Sequence, residues 1–125
     1  MPLPPKLNRE LDELKSTFVV QVREEADIIN FVFSDFQLGD GFNRRTSDLL
    51  IRIPRSYPDA GPDMFWTVPE VLLATGQAPQ CAEVLEVHLG RQWRRFSWHK
   101  KSWNSVSDNI HSYIEFVYRR LRQKQ

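Results

Sequence analysis

Ser97 and His99, two residues apart in Arg94-Arg95-Phe96-Ser97-Trp98-His99, are the side chains of this sequence most readily joined into a reacting pair. A serine hydroxyl attacks a carbonyl only when a base takes its proton, and imidazole is the usual base at neutral pH. In an extended segment positions 97 and 99 lie on the same side, which permits contact. Arg91, Arg94, Arg95, Lys100 and Lys101 surround the pair with no acid between them, so that Arg94 and Arg95 could steady a developing oxyanion. Loss of a donor that touches such an oxyanion costs about 3 kcal/mol of barrier. Asn104 and Asp108 are candidates for orienting or supporting the pair. The segment GRQWRRFSWHKKSW, residues 90–103, is therefore expected to be the working surface.

Two other groups compete for these roles. Cys81 carries the chain's single thiol and becomes the rival nucleophile if the loop around residues 70–83 folds back. His88 is a possible base, although a histidine in an apolar stretch more often serves structure, and His111 reads as a surface residue. One cysteine makes neither an internal disulfide nor a zinc cage, and no metal or cofactor is expected. The start, MPLPPKLNRELDE, has no apolar signal core, and no uncharged apolar run approaches the roughly 20 residues of a membrane span. A cytoplasmic protein with no membrane contact is the expectation. Trp93, Phe96 and Trp98 alternate with cations, a pattern that also suits stacking on single-stranded nucleic acid. A net charge of only +1 and the lack of any nucleic-acid motif rank that reading last.

Positioning falls to elements read from periodicity. Leu7, Leu11, Leu14 and Phe18 recur at helical spacing, predicting an amphipathic first helix with Arg9, Glu10, Asp12 and Glu13 outward. Alternation through Phe18-Val20-Val22 and Ile29-Phe31-Phe33 predicts two antiparallel strands. A third spans Asp48 to Ile53 after the turn residues Gly39-Asp40-Gly41-Phe42-Asn43, and a short fourth spans Met64 to Val68. Residues 70–80 read as a loop with at most one helical turn, and 84–89 as another strand or extended segment ending at Gly90. Val106, Ile110, Tyr113, Ile114, Val117 and Leu121 share a helical face, with Ser105 as N-cap and Asp108 three residues on. The basic run at 119–124 reads as a solvated helix end or a partner contact. These elements make one α+β domain, residues 1–125, with helices packed on one sheet.

The stretch Ile53-Pro54-Arg55-Ser56-Tyr57-Pro58-Asp59-Ala60-Gly61-Pro62, followed by Phe65 and Thr67, resembles the Tyr-Pro turn between the third and fourth strands of ubiquitin-conjugating enzymes. Trp103-Asn104-Ser105 before the last helix is similar to the Trp-Ser-Pro element that follows the acyl-carrying cysteine there. The chain is most similar to the bacterial branch, prokaryotic ubiquitin-conjugating family E. The resemblance implies a UBC-like fold: an N-terminal helix, a four-stranded antiparallel meander, a long irregular active-site region and a C-terminal helix, without the family's further helices. It makes Tyr57, Pro58 and Trp103 fold-motif residues.

The resemblance also implies a ubiquitin-like modifier and a ThiF-type activating enzyme as partners, with a JAB-type peptidase in the same pathway. Two departures bear on mechanism. No cysteine lies between Cys81 and the end of the chain, and Ser97, six residues before Trp103, stands near the expected position. The His-Pro-Asn motif is missing, and His88-Leu89-Gly90 offers no asparagine amide. The expected function is acceptance of the modifier's C-terminus as a Ser97 oxyester and its transfer to an acceptor. The alternative is a noncatalytic modifier-binding or adaptor subunit.

Overall fold

The structure, a computed structural model, describes residues 3–123; Lys124 of the basic run lies outside the described residues. The order is α1 (Pro5–Leu14), β1 (Val19–Glu24), β2 (Ile28–Gln37), β3 (Thr46–Pro54), β4 (Phe65–Thr67), β5 (Leu85–His88), β6 (Arg91–Phe96) and α2 (Ile110–Gln123). All strand pairs are antiparallel, in the order β1-β2-β3-β4-β6-β5. Among the described residues the sheet thus has six strands where the sequence predicts a four-stranded meander.

Of the two further strands, β5 lies within the 84–89 segment read as a strand or extended, and β6 comes from the segment expected to be irregular. Leu89 and Gly90 both take positive φ, 55° and 75°, the twist that a two-residue hairpin turn requires. The hairpin then docks β6 on β4, pairing Phe65 with Phe96 and Trp66 with Arg95. Cations at 91, 94 and 95 hide the alternation of Trp93 and Phe96 from a hydropathy reading, because long basic side chains can sit on a sheet with their stems packed and their heads bonded.

The sheet buries apolar residues on both faces. One face carries Phe31, Ile51, Phe65 and Phe96 and is covered by Leu7, Leu11 and Leu14 of α1 and by Ile110, Tyr113, Val117 and Leu121 of α2. The other carries Val32, Leu50, Trp66 and Trp93, with Met64 and Leu89 beside them and no helix residue in the cluster. Each fully buried large apolar side chain contributes about 1.5–3 kcal/mol.

Both helices differ from their expected bounds. Phe18 lies beyond the end of α1 and packs its ring on Phe33 and Phe36, with centroids 5.4 and 5.9 Å away. The last helix begins at Ile110, not near Ser105. Asn109 and Ser112 cap it reciprocally: Ser112 N donates to Asn109 Oδ1 at 2.8 Å, and Asn109 N donates to Ser112 Oγ at 2.9 Å. Val106 is 89 % exposed and belongs to no helical face.

Glu10, expected on the solvent side of α1, is only 6 % exposed. Its Oε1 accepts from the Tyr57 hydroxyl and, at 3.1 Å, from Ile110 N. Burial and the adjacent Glu10 carboxylate hold the Tyr57 hydroxyl above the usual tyrosine range, so it stays a donor. One carboxylate therefore ties α1 to the proline turn and to the N-terminus of α2, where negative charge is favoured.

The proline turn, whose Tyr57–Pro58 peptide is cis, in turn holds Trp103. Trp103 Nε1 donates to Pro58 O at 2.7 Å, and a Cβ placed on Gly61 would lie 2.3 Å from the indole carbons. Gly61→Ala is expected to destabilise the protein by about 1–3 kcal/mol, the range for overpacking. Urea unfolding of Gly61→Ala, Trp103→Ala and the double variant checks the cause: the double variant should lose less than the sum of the singles. Additive losses would show that the contact is not the source.

Candidate functional site

β6 runs straight into the candidate site, and its register decides which side chains meet. Arg95 lies opposite Trp66 and Trp93 opposite Glu86. Glu86 Oε1 accepts from Trp66 Nε1 at 2.9 Å and lies 3.0 Å from His88 Nε2, while Oε2 accepts from Arg95 Nη1 at 2.7 Å. Burial pushes the Glu86 carboxyl up, but the hydrogen bonds from His88, Trp66 and Arg95 outweigh it and leave the group below its ordinary value. His88 is thus engaged by Glu86, and the sequence held no signal for this hub except the Glu86-Val87-His88 alternation.

Ser97 is half-buried, and its Oγ accepts from Arg95 Nε at 2.9 Å. His99 pairs with Asp63, its Nδ1 2.6 Å from Asp63 Oδ1. That pair is well exposed, a setting in which ion pairs contribute about 0–1 kcal/mol. No hydrogen bond joins Ser97 to His99 or His88 among the described residues, so the expected serine–histidine pair is not assembled.

Arg94 is used by the fold: Nε donates to Pro69 O at 2.9 Å and Nη1 to Ala82 O at 2.7 Å. Burial pulls its guanidinium pKa down, against the pull of Glu70 and Glu83. Asn104 forms a turn, its Oδ1 accepting from Val106 N at 2.9 Å and Ser107 N at 3.2 Å. Both side chains thus take part in holding the local fold, Arg94 through two of its nitrogens and Asn104 through its oxygen. The aromatic residues are also withdrawn, Trp93 at 1 %, Phe96 at 0 % and Trp98 at 3 % exposure. That removes the stacking faces on which a nucleic-acid reading depends.

The loop before β5 is the other segment packed against Ser97. It folds back along the end of β6: Arg95 N donates to Val84 O at 2.9 Å, Ser97 N to Cys81 O at 3.0 Å and Trp98 Nε1 to Gln80 O at 2.8 Å. Cys81 is exposed and takes φ of 62°, a left-handed turn conformation that ends the pairing. The backbone of Cys81, the chain's single cysteine, is thus paired with that of Ser97, sixteen residues away in sequence. The hairpin turn at Leu89-Gly90 was the available signal, since extending its register brings the two segments together.

The sequence profile of Prokaryotic E2 family E matches residues 3–124. The chain belongs to that family. No curated protein and no solved structure matches it. Membership places this prokaryotic E2 protein in ubiquitin-like conjugation and implies a modifier protein and an activating enzyme as partners. No helix among the described residues is long and apolar enough to cross a membrane.

In this E2 protein the segment after Ser97 is fastened by Asp108. Its Oδ2 accepts from Asn104 N at 2.8 Å and from Lys100 Nζ at 3.2 Å, and Oδ1 accepts from Ser112 Oγ at 3.1 Å. The Asn104 N–H, opposed by burial and aided by Lys100 and Ser112, holds the carboxyl below its ordinary value of 3.8. A folded value below the unfolded one gives stability that is complete above the unfolded pKa and fades as pH falls through the folded one. Asp108→Asn should therefore cost about 1.5–3 kcal/mol at pH 7, the scale of hydrogen bonds to a charged group. The difference from wild type should shrink below pH 3.8. Urea titrations at pH 7 and pH 3 measure it; an equal difference at both would show that the charge does not matter.

Proposed function

We propose that this chain is a UBC-like conjugating protein that accepts the C-terminal carboxyl of a ubiquitin-like modifier from a ThiF-type activating enzyme and passes it on, with Cys81 as the carrier. The observation that supports the reading is the backbone hydrogen bond from Ser97 N to Cys81 O, which joins the loop carrying the exposed cysteine to the segment where the family resemblance expects one. A thiol needs no assembled base, since a few per cent is thiolate at pH 7 and the thiolate is strongly nucleophilic. The Cys81 thiolate attacks the carbonyl of the modifier's thioester on the activating enzyme. A new C–S bond forms and the activating enzyme's thiolate leaves. An acceptor amine or hydroxyl then attacks the new thioester, loses its proton to solvent and expels the Cys81 thiolate. Both partners and the reduced thiol fit the cytosol, and a JAB-type peptidase would act in the same pathway.

One observation favours a second reading, the Ser97 oxyester. Arg95 Nε donates to Ser97 Oγ at 2.9 Å, and a guanidinium there lowers the cost of an alkoxide. It lacks a base, because His99 and His88 are bonded elsewhere.

Incubation with activating enzyme, ATP and modifier, followed by a non-reducing denaturing gel, separates these readings. The expected product is a covalent band cleaved by dithiothreitol, abolished in Cys81→Ala and retained in Ser97→Ala. A band that survives dithiothreitol, yields to hydroxide and disappears in Ser97→Ala assigns the oxyester. Modifier that binds without any covalent band assigns the noncatalytic adaptor role.

A further inference from the structure

A cavity of about 440 Å³ opens between the segment 99–102 and the last turns of α2, lined by basic residues on both sides: His99, Lys100 and Lys101 from the loop and Arg119 and Arg120 from the helix. Two of these are engaged by acids, His99 by Asp63 and Lys100 by Asp108. Lys101, Arg119 and Arg120 form no ion pair within 4 Å of an acid among the described residues. Glu115, one turn before Arg119 on α2, does not line the cavity.

Arg120 adds an independent sign. Its guanidinium lies over the Trp98 ring, 5.0 Å from the centroid, and Nη1 donates to Gln123 Oε1 at 2.7 Å, yet its Nε is buried with no hydrogen-bond partner. A buried donor left without an acceptor is costly, and more so when the group is charged. A small rotation of the guanidinium toward an arriving carboxylate would present the Nε–Nη fork that suits bidentate binding.

We infer that this cavity binds an acidic peptide segment of a protein partner. Charge complementarity requires the acid, and the lining by the Phe116 ring suits an apolar side chain next to it. The cations are spread around a space much larger than one phosphate ion, and the buried Trp98 ring beside Arg120 presents no face to a base. Trp98 links the site to the transfer segment: one side of its ring bears Arg120, and its Nε1 holds Gln80 O, next to Cys81. On the conjugation reading, which this inference deepens, the segment belongs to the protein that receives the modifier.

Binding of a fluorescein-labelled peptide of glutamates and aspartates with one central phenylalanine, followed by anisotropy on the full chain without modifier or activating enzyme, tests it. Lys101→Glu combined with Arg119→Glu should weaken binding at least tenfold, and raising salt from 50 to 300 mM should weaken it in wild type. Both residues are exposed, so folding is spared. Arg9→Glu with Arg45→Glu, a control of equal charge on exposed residues elsewhere, should bind as wild type does. The inference fails if the control weakens binding equally, if wild type does not bind, or if inorganic phosphate displaces the peptide as well as free glutamate does. Cys81→Ala should bind the peptide normally, so loss of the covalent band and loss of peptide binding are separate results.

Discussion

Phe96 stacks on Phe65 with ring centroids 5.0 Å apart because β6 pairs antiparallel with β4, and that pairing governs the rest of the molecule. It draws a segment with three arginines into the interior of a sheet, which is tolerable only if each guanidinium finds acceptors. They do. Arg94 is bonded to two loop carbonyls, Arg95 to Glu86 and Ser97, and Arg91 to Asp48 while it stacks 4.3 Å from the Trp93 ring. The charges that looked like a reactive field in the sequence are mostly consumed in holding the hairpin to the sheet. What remains uncommitted is displaced one turn further, to Lys101 and the end of α2.

A second constraint fixes the far side of the site. The Glu10 carboxylate, buried between α1, the proline turn and α2, sets the positions of Tyr57 and Ile110 at once. Tyr57 and Pro58 in turn set Trp103, whose indole fills the space that Gly61 leaves. The segment from Ser97 to Asp108 is therefore pinned at both ends, by sheet pairing before it and by Trp103 and Asp108 after it. Between these anchors it carries no regular structure, which leaves its side chains available to a partner.

The consequence for chemistry is a change of neighbour. A serine two residues from a histidine is a plausible pair only while the backbone path between them is unspecified. Once Trp98 is buried in the core, Ser97 is held toward Arg95, and His99 reaches Asp63 instead. The same burial recruits the preceding loop, because the Trp98 indole N–H needs an acceptor and Gln80 O provides it. Cys81 arrives beside Ser97 as a result of satisfying that donor and the Ser97 amide.

The amphipathic spacing of Leu7, Leu11 and Leu14, the alternation in the first three strands, the prolines that stop β3 and the apolar stripe from Ile110 to Leu121 were all legible, because each depends on a local period against one buried face. So was the family resemblance, through Tyr57, Pro58 and Trp103. The sequence by itself determined the first helix, the meander, the closing helix and the family to which the chain belongs. Only the tertiary structure decided that Arg91–Phe96 is a strand, that Glu10 is buried, that Asn109 and not Ser105 caps α2, and that Cys81 meets Ser97. Each of these depends on a polar or charged group finding a partner far along the chain, and hydrophobic periodicity records which residues leave water but not which distant acceptor a buried donor will meet.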